Sequence, residues 1–158
     1  MGRLFVNTEV EINAPPSKVR EILLDFKTYN DWNTLIRDPK IEKSSSNSQD
    51  PFKLIKGDVL KFFFIPLNGT GYPVVETNTE QEFSWLGVGG HRLIFSGLHF
   101  FKFKSIDDGK KTILVHGEDF TGLLVGPFKW FKGGEKEVEK GYTQLSNVIK
   151  QRAETSNL

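Results

Sequence analysis

Residues 10–19 read Val10-Glu11-Ile12-Asn13-Ala14-Pro15-Pro16-Ser17-Lys18-Val19, and residues 25–33 read Asp25-Phe26-Lys27-Thr28-Tyr29-Asn30-Asp31-Trp32-Asn33. Upstream of the two prolines, apolar and polar side chains alternate over residues 6–12, which is typical of a strand with one buried face. Downstream, apolar residues recur at helical spacing, and proline is tolerated in the first turn of a helix. The stretch therefore predicts a strand, a proline corner and an amphipathic helix that ends in a cluster of aromatic residues. The apolar helix positions are Val19, Ile22, Leu23 and Phe26.

A second short helix is predicted from Tyr29 to Ile36, ending near Pro39 because the residue before a proline disfavours helix. Turn sequences then separate a series of short extended segments, and the clearest turn is at residues 107–109, Asp-Asp-Gly. Hairpin connections of this kind indicate antiparallel pairing. We expect Gly97 to mark a bulge or bend, because a strand over residues 91–106 would otherwise be unusually long. The predicted strands cover residues 41–45, 58–65, 70–77, 82–88, 91–106 and 111–121.

The last part of the sequence predicts a long closing helix. Its apolar residues fall at i, i+4, i+7, i+10 and i+11, which places them on one continuous stripe. About twenty residues at 1.5 Å per residue give a length of roughly 30 Å, enough to cross a whole sheet. The stripe residues are Val138, Tyr142, Leu145, Val148 and Ile149.

The composition limits the classes of protein to consider. With 158 residues the chain fits a single domain, and its 14 Phe, 3 Trp and 3 Tyr predict either a large core or the lining of an apolar pocket. The absence of cysteine excludes disulfides, thiolate metal sites and a cysteine nucleophile. A net charge of +1 argues against a nucleic-acid partner, which usually requires a basic face.

The sequence also bears on location. The first residues lack the apolar run of a signal peptide, and no stretch approaches the roughly 20 apolar residues of a membrane span. We therefore expect a cytoplasmic protein without stable membrane insertion.

Short motifs along the whole chain resemble the START-like superfamily, also called SRPBCC, which includes the birch pollen allergen. The resemblance is nearest to the polyketide cyclase/dehydrase-like branch. It implies one START-like domain over residues 1–158 of class α+β with the helix-grip fold: a curved antiparallel sheet of about seven strands wraps around a long C-terminal helix, and two short helices follow strand 1. The matching residues are Ile12-Asn13-Ala14-Pro15, Val19, Asp25-Phe26, Tyr29, Asn30, Trp32, Phe83, Trp85, Gly97-Leu98-His99, Phe101, Thr112, His116-Gly117-Glu118, Phe120-Thr121-Gly122-Leu123-Leu124, Leu145, Lys150 and Glu154.

The resemblance further implies a largely apolar cavity between the sheet and the last helix. If the two long strands alternate simply, polar side chains share the faces of apolar ones, so that all three histidines and Glu118 look into this cavity. One face carries His91, Leu93, Phe95, His99, Phe101 and Phe103, and the face on the next strand carries Leu114, His116, Glu118 and Phe120.

We predict that the chain binds one small hydrophobic molecule, such as a lipid, sterol, quinone or polyketide, as a monomer or weak homodimer without cofactor or metal. Two alternatives stay open: a polyketide cyclase or dehydratase that uses His99, His116 and Glu118 as acid–base groups, and an adaptor that docks another protein. Phe128, Trp130 and Phe131 also suggest a lid at the cavity mouth. The predicted ligand-binding residues are Trp32, Trp85, Phe95, His99, Phe101, Leu114, His116, Glu118, Phe120, Phe128, Tyr142 and Leu145.

Overall fold

The computed structural model describes residues 1–130 and 133–155, apart from the side chain of Trp130. The strands are β1 Gly2–Ile12, β2 Ile36–Lys43, β3 Val59–Phe64, β4 Gly69–Gly71, β5 Val74–Asn78, β6 Glu82–Val88, β7 Ser96–Ile106 and β8 Lys111–Gly122. The α-helices are α1 Pro16–Leu24, α2 Tyr29–Trp32, α3 Val125–Trp130 and α4 Gly134–Thr155. Phe131, proposed above for a lid, lies outside the described residues.

All strand pairs are antiparallel, and seven strands follow one another in the order β1-β8-β7-β6-β5-β3-β2, with β4 paired to β3 beside this path. The sheet curves, and α4 packs along β1 and also contacts α1 and β8. The predicted α+β class and helix-grip arrangement are confirmed.

The predicted strand, proline corner and first helix are confirmed, but the second helix ends at Trp32 and not at Ile36. The side chain of Asn33 explains the difference, because its Oδ1 accepts hydrogen bonds from the backbone amides of Leu35 and Ile36 at 2.9 and 2.8 Å. An asparagine that bonds the backbone ahead of it favours a turn over continued helix. The chain therefore enters β2 at Ile36, and Pro39 lies within this edge strand next to a register shift.

The long strand predicted over residues 91–106 begins only at Ser96, and residues 92–94 form a turn. Gly97 makes no bulge, since it pairs with Gly87 on one side and Phe120 on the other without any register shift. The expectation of a bulge was wrong. Without a bulge, simple alternation holds through the whole of β7, so that His99, Phe101 and Phe103 do share a face.

The stripe of α4 faces the sheet as predicted. Tyr142, Leu145 and Ile149 are buried, while Val138 and Val148 are partly buried at its margin. Burial of large apolar side chains of this kind contributes roughly 1.5–3 kcal/mol each. None of the described helices is both long and apolar enough to cross a membrane.

Candidate functional site

Five polar side chains meet in the interior between the sheet and α4, and we call them the polar cluster: His99, His116, Glu118, Tyr142 and Ser146. The register of the β7–β8 pair places His99 directly opposite Glu118. His116 lies two residues before Glu118 and therefore points to the same face of the sheet. Tyr142 and Ser146 are one helical turn apart on α4, which brings both onto the helix face that covers this point.

Hydrogen bonds join the polar cluster in a row. The hydroxyl of Tyr142 donates to Oε2 of Glu118, and the same carboxylate oxygen lies 3.2 Å from Nδ1 of His99. Nε2 of His99 lies 2.8 Å from Nε2 of His116, whose Nδ1 lies 3.1 Å from Oγ of Ser146. Glu118 keeps 15% of its side chain exposed, whereas His116 and Ser146 are fully enclosed, so the row runs inward from the surface.

The short contact between the two imidazoles restricts where the protons lie, because one Nε2 must carry the proton and the other must accept it. When Glu118 is ionised, it accepts from Nδ1–H of His99, His99 accepts from His116, and His116 accepts from the hydroxyl of Ser146. The opposite pair of tautomers, with the proton of His99 on Nε2 and that of His116 on Nδ1, reverses the bond between the two rings and the bond to Ser146. The row is therefore a continuous path of hydrogen bonds from a partly exposed carboxylate to a buried hydroxyl.

Burial controls the charge states in the polar cluster. Burial lowers the pKa of His116 well below 6.5, and the neighbouring His99 lowers it further, while a backbone hydrogen bond at Tyr142 acts in the opposite direction. Burial also raises the pKa of Tyr142 well above 10, and the charge of Glu118 adds to this shift. At neutral pH His116 is therefore an uncharged imidazole and Tyr142 is a hydrogen-bond donor.

Aromatic rings stack on both histidines. Trp85 lies nearly parallel to His99, with ring centres 4.6 Å apart. His116 lies between Phe101, at 4.2 Å, and Tyr142, at 4.4 Å. Trp85, Phe101 and Tyr142 are themselves buried, so side chains occupy the space around the polar cluster. Three of the aromatic residues expected to line a cavity therefore pack directly against the polar cluster.

Three phenylalanines close one end of the interior, and we call them the phenylalanine cap: Phe95, Phe120 and Phe128. Their ring centres are 5.6–5.7 Å apart in all three pairs. Phe120 follows Glu118 on the inner face of β8, and Phe128 belongs to α3. The cap thus lies between the polar cluster and the short helix α3, with Phe95 and Phe128 partly exposed.

The remaining predicted residues lie elsewhere. Trp32 contacts Tyr29 and Arg152 and donates from Nε1 to the hydroxyl of Thr28, away from the polar cluster. Leu114 and Leu145 are buried in the main apolar core. His91 does not face the interior as predicted, because it precedes β7, in the 91–94 turn, where its side chain is exposed.

Ser146 was not predicted. A sequence signal did exist, since Ser146 lies one turn after Tyr142 on the stripe of the last helix. Serine is common on exposed helix faces, however, and only its contact with His116 distinguishes it.

Two surface depressions are lined by none of the twelve predicted binding residues. One, of about 550 Å³, includes Arg20 and Phe52, and the other, of about 500 Å³, runs along residues 102–105. Within residues 1–130 and 133–155, no three His, Cys, Asp or Glu side chains are arranged to bind a metal ion.

The depressed pKa of His116 predicts a loss of stability in mild acid. Because the pKa of His116 is lower in the folded chain, the unfolded chain binds the proton more tightly. The contribution of neutral His116 to the free energy of unfolding is therefore complete above about pH 6.5. It declines, by at most about 1.4 kcal/mol per pH unit, as the pH falls toward the pKa of His116 in the folded chain. Urea unfolding between pH 7.5 and 5.5 should show a shallower decline for His116→Gln than for the wild type. His91→Gln is the control and should follow the wild type, and an unchanged slope in His116→Gln would contradict the assignment.

No family model matches this sequence, and no curated protein matches it. Solved structures are similar in fold. A START superfamily protein from Mycobacterium smegmatis is 19% identical, with 98% of this chain and 99% of that chain covered and a TM-score of 0.69. The Zhui aromatase/cyclase from a Streptomyces species is 15% identical, with coverage of 99% and 97% and a TM-score of 0.73.

Another similar structure is that of Ara h 8.0201, which is 14% identical, with coverage of 96% and 98% and a TM-score of 0.67. These likenesses extend over nearly the whole of each chain. They confirm the predicted resemblance at the level of the fold, which is that of the START-like proteins.

Proposed function

We propose that this helix-grip protein binds a small, flat, largely apolar molecule between α4 and the sheet, and that the polar cluster hydrogen-bonds one hydroxyl or carbonyl group of this ligand. Quinones, sterols, polyketides and lipids with such a group belong to this class. The observation that carries the proposal is the row of five hydrogen-bonded polar side chains enclosed by aromatic rings. A few polar groups on apolar walls are the usual composition of small-molecule sites.

The energetics of the polar cluster support a role beyond packing. Burying polar groups is unfavourable unless each finds a partner, and an apolar core of similar volume is usually at least as stable. Helix α4 and β8 supply apolar side chains at the neighbouring inner positions, Leu145 and Leu114. The fold itself does not require polar side chains at this place. The hydrogen-bonded row therefore contributes to the specificity of ligand recognition.

The ligand must displace side chains, because packed rings fill the interior. The element best suited to move is α3, which carries Phe128 of the phenylalanine cap. Glycines with positive φ flank it, Gly122 before and Gly133 and Gly134 after, at φ values of 132°, 74° and 31°. Outward movement of α3 would open a path from the surface to Glu118.

A matched pair of probes, 2-naphthol and naphthalene, tests the proposal. They share an apolar body and differ by one hydroxyl, so we expect calorimetry to show 2-naphthol binding at least about tenfold more tightly, the effect of one hydrogen bond to a charged group. Glu118→Gln should reduce this ratio, and the surface variant Glu76→Gln, whose side chain pairs with Lys56, should keep it. Equal affinities, or no binding of either probe, would contradict the proposal.

Acid–base catalysis is a second candidate function, and the link between the two histidines favours it. A row that passes a proton could serve a cyclisation or dehydration of a polyketide-like substrate. In that case His99→Ala and His116→Ala should abolish product formation measured by mass spectrometry, while naphthalene still binds. Full activity in both variants would refute this candidate.

An adaptor, the other alternative, predicts a filled or collapsed interior together with an exposed apolar patch of more than a few hundred Å². The probe experiment separates the two functions, because an adaptor has no reason to bind 2-naphthol. The single domain over 1–158, a cytoplasmic location and a monomeric or weakly dimeric state stay predictions.

A further inference from the structure

Five aliphatic side chains, one at the end of β6 and four on the loops before β7 and after β8, form an exposed surface that we call the loop patch: Val88, Leu93, Ile94, Leu123 and Leu124. Each of them is between 41% and 67% exposed. Single exposed apolar residues are normal, but contiguous groups mark interaction surfaces. The loop patch has no part in the polar cluster.

Hydrogen bonds hold the two loops together. The amide of Leu123 donates to the carbonyl of Leu93 at 3.1 Å, and the amide of Leu124 donates to the carbonyl of Ile94 at 3.0 Å. Gly122 permits this approach, since a Cβ at that position would lie 2.4 Å from the carbonyl oxygen of Ile94. The loop patch is therefore a defined surface and not a set of independent side chains.

The charged residues within the two segments that carry the loop patch are basic. The segments 88–95 and 121–130 contain Arg92 and Lys129 together with His91, and neither segment contains an aspartate or a glutamate. Both basic residues are exposed. Basic residues beside exposed aliphatic groups complement an anionic lipid surface, where each contributes about fivefold to binding.

The backbone of the loops is also suited to an apolar environment. The amides of Leu93, Ile94, Leu123 and Leu124 all donate within the two loops, to Nδ1 of His91 or to backbone carbonyls. The amide of Gly89 likewise donates to the carbonyl of Phe95. In hydrocarbon, each backbone polar group must find a partner within the protein.

We propose that the loop patch docks the protein on the surface of a bilayer that contains anionic lipid. The leucine and isoleucine side chains enter the interface, and Arg92 and Lys129 face the headgroups. The docking is peripheral and does not depend on ligand binding. It would place the phenylalanine cap next to the lipid, because Phe95 follows Ile94 and the amide of Phe128 bonds to the carbonyl of Leu124.

Flotation with vesicles tests this proposal. The wild type should float with vesicles of phosphatidylcholine and phosphatidylserine in a 7:3 ratio at 0.1 M salt, and more weakly with pure phosphatidylcholine. Leu123→Asp should reduce the partition coefficient at least about tenfold, the effect of withdrawing one leucine from an apolar phase. Leu67→Asp is the matched control, since Leu67, 76% exposed against 67% for Leu123, lies on a different loop, and it should bind as the wild type does.

Two results would overturn the proposal. One is failure of the wild type to float with anionic vesicles while it still binds 2-naphthol, which would leave the proposed function intact. The other is equal binding by Leu123→Asp and Leu67→Asp. If the wild type ignores vesicles but self-associates in sedimentation velocity, and Leu123→Asp abolishes this, the loop patch is instead a contact between copies.

Discussion

Replacing Trp85 with alanine should lower the free energy of unfolding by about 3–5 kcal/mol, the range for a large aromatic residue removed from a packed core. Only 2% of Trp85 is exposed, and its ring stacks on His99 and contacts Phe62, Phe83 and Phe101 at centre distances of 5.3–5.8 Å. The substitution removes the wall of the polar cluster and leaves a void that its neighbours fill only in part. Urea unfolding at pH 7.5 measures the change.

Tyr72→Ala provides the control for Trp85→Ala. It is also an aromatic-to-alanine change, but more than half of Tyr72 is exposed, and its ring lies 5.8 Å from Nζ of Lys61. The expected change is below about 1 kcal/mol. If Trp85→Ala lowered the free energy of unfolding no more than Tyr72→Ala does, the interior around His99 would be open space. The description of this interior as packed would then be wrong.

Gly97→Ala should disrupt the polar cluster and lower stability by about 1–3 kcal/mol, the usual range for overpacking a core. A Cβ on Gly97 would lie 2.0 Å from Oε1 and 2.9 Å from Cδ of Glu118. The carboxylate would have to rotate away and so lose its bonds to Tyr142 and His99. The ring resonances of Tyr142 in an NMR spectrum report this loss separately from unfolding.

Gly87→Ala is the matched control for Gly97→Ala, because the two glycines face each other in the β6–β7 ladder. A Cβ on Gly87 meets nothing closer than 3.9 Å. Its effect should stay within about 0.5 kcal/mol, helped by the lower entropy of the unfolded chain. Equal effects of the two substitutions would mean that Glu118 does not lie over Gly97.

The fold was predictable from the sequence because its signals are local. The alternation of residues 6–12, the proline corner and the stripe of α4 each depend on neighbouring residues alone. Element boundaries were less predictable: the second helix stops early because the side chain of Asn33 bonds forward, and β7 starts late because residues 91–94 turn. Both depend on hydrogen bonds that no apolar pattern encodes.

The candidate site was predictable in part, again because some of its sequence signals are local. Alternation along β7 and β8 placed His99, His116 and Glu118 on one face, and the helical stripe brought Tyr142 over them. The misplacement of His91 followed from the wrong strand start. The row of hydrogen bonds and the filling of the interior depend on how α4 sits against the sheet, which is a contact between distant parts of the chain. The spacing of residues along the sequence cannot predict how closely α4 packs against the sheet.

The sequence predicts a cavity between the sheet and α4, whereas the structure has packed aromatic rings there. One physical account explains both. Under the proposed function, rings that stack on His99 and His116 move aside for a flat ligand, which replaces their contacts with equivalent ones. Affinity then depends mainly on the difference between the two sets of contacts and on the hydrogen bond gained. This account predicts modest affinity for purely apolar molecules and a clear preference for those with one polar group.

The most direct test of the account is a long-range ¹H–¹⁵N NMR spectrum of the histidine rings with increasing 2-naphthol. The chain has three histidines, and His91 is an internal control on the exposed loop. We predict that the ring nitrogens of His99 and His116 shift saturably while those of His91 do not. Binding of 2-naphthol that leaves both interior histidines unshifted would contradict the claim that the polar cluster is the binding site.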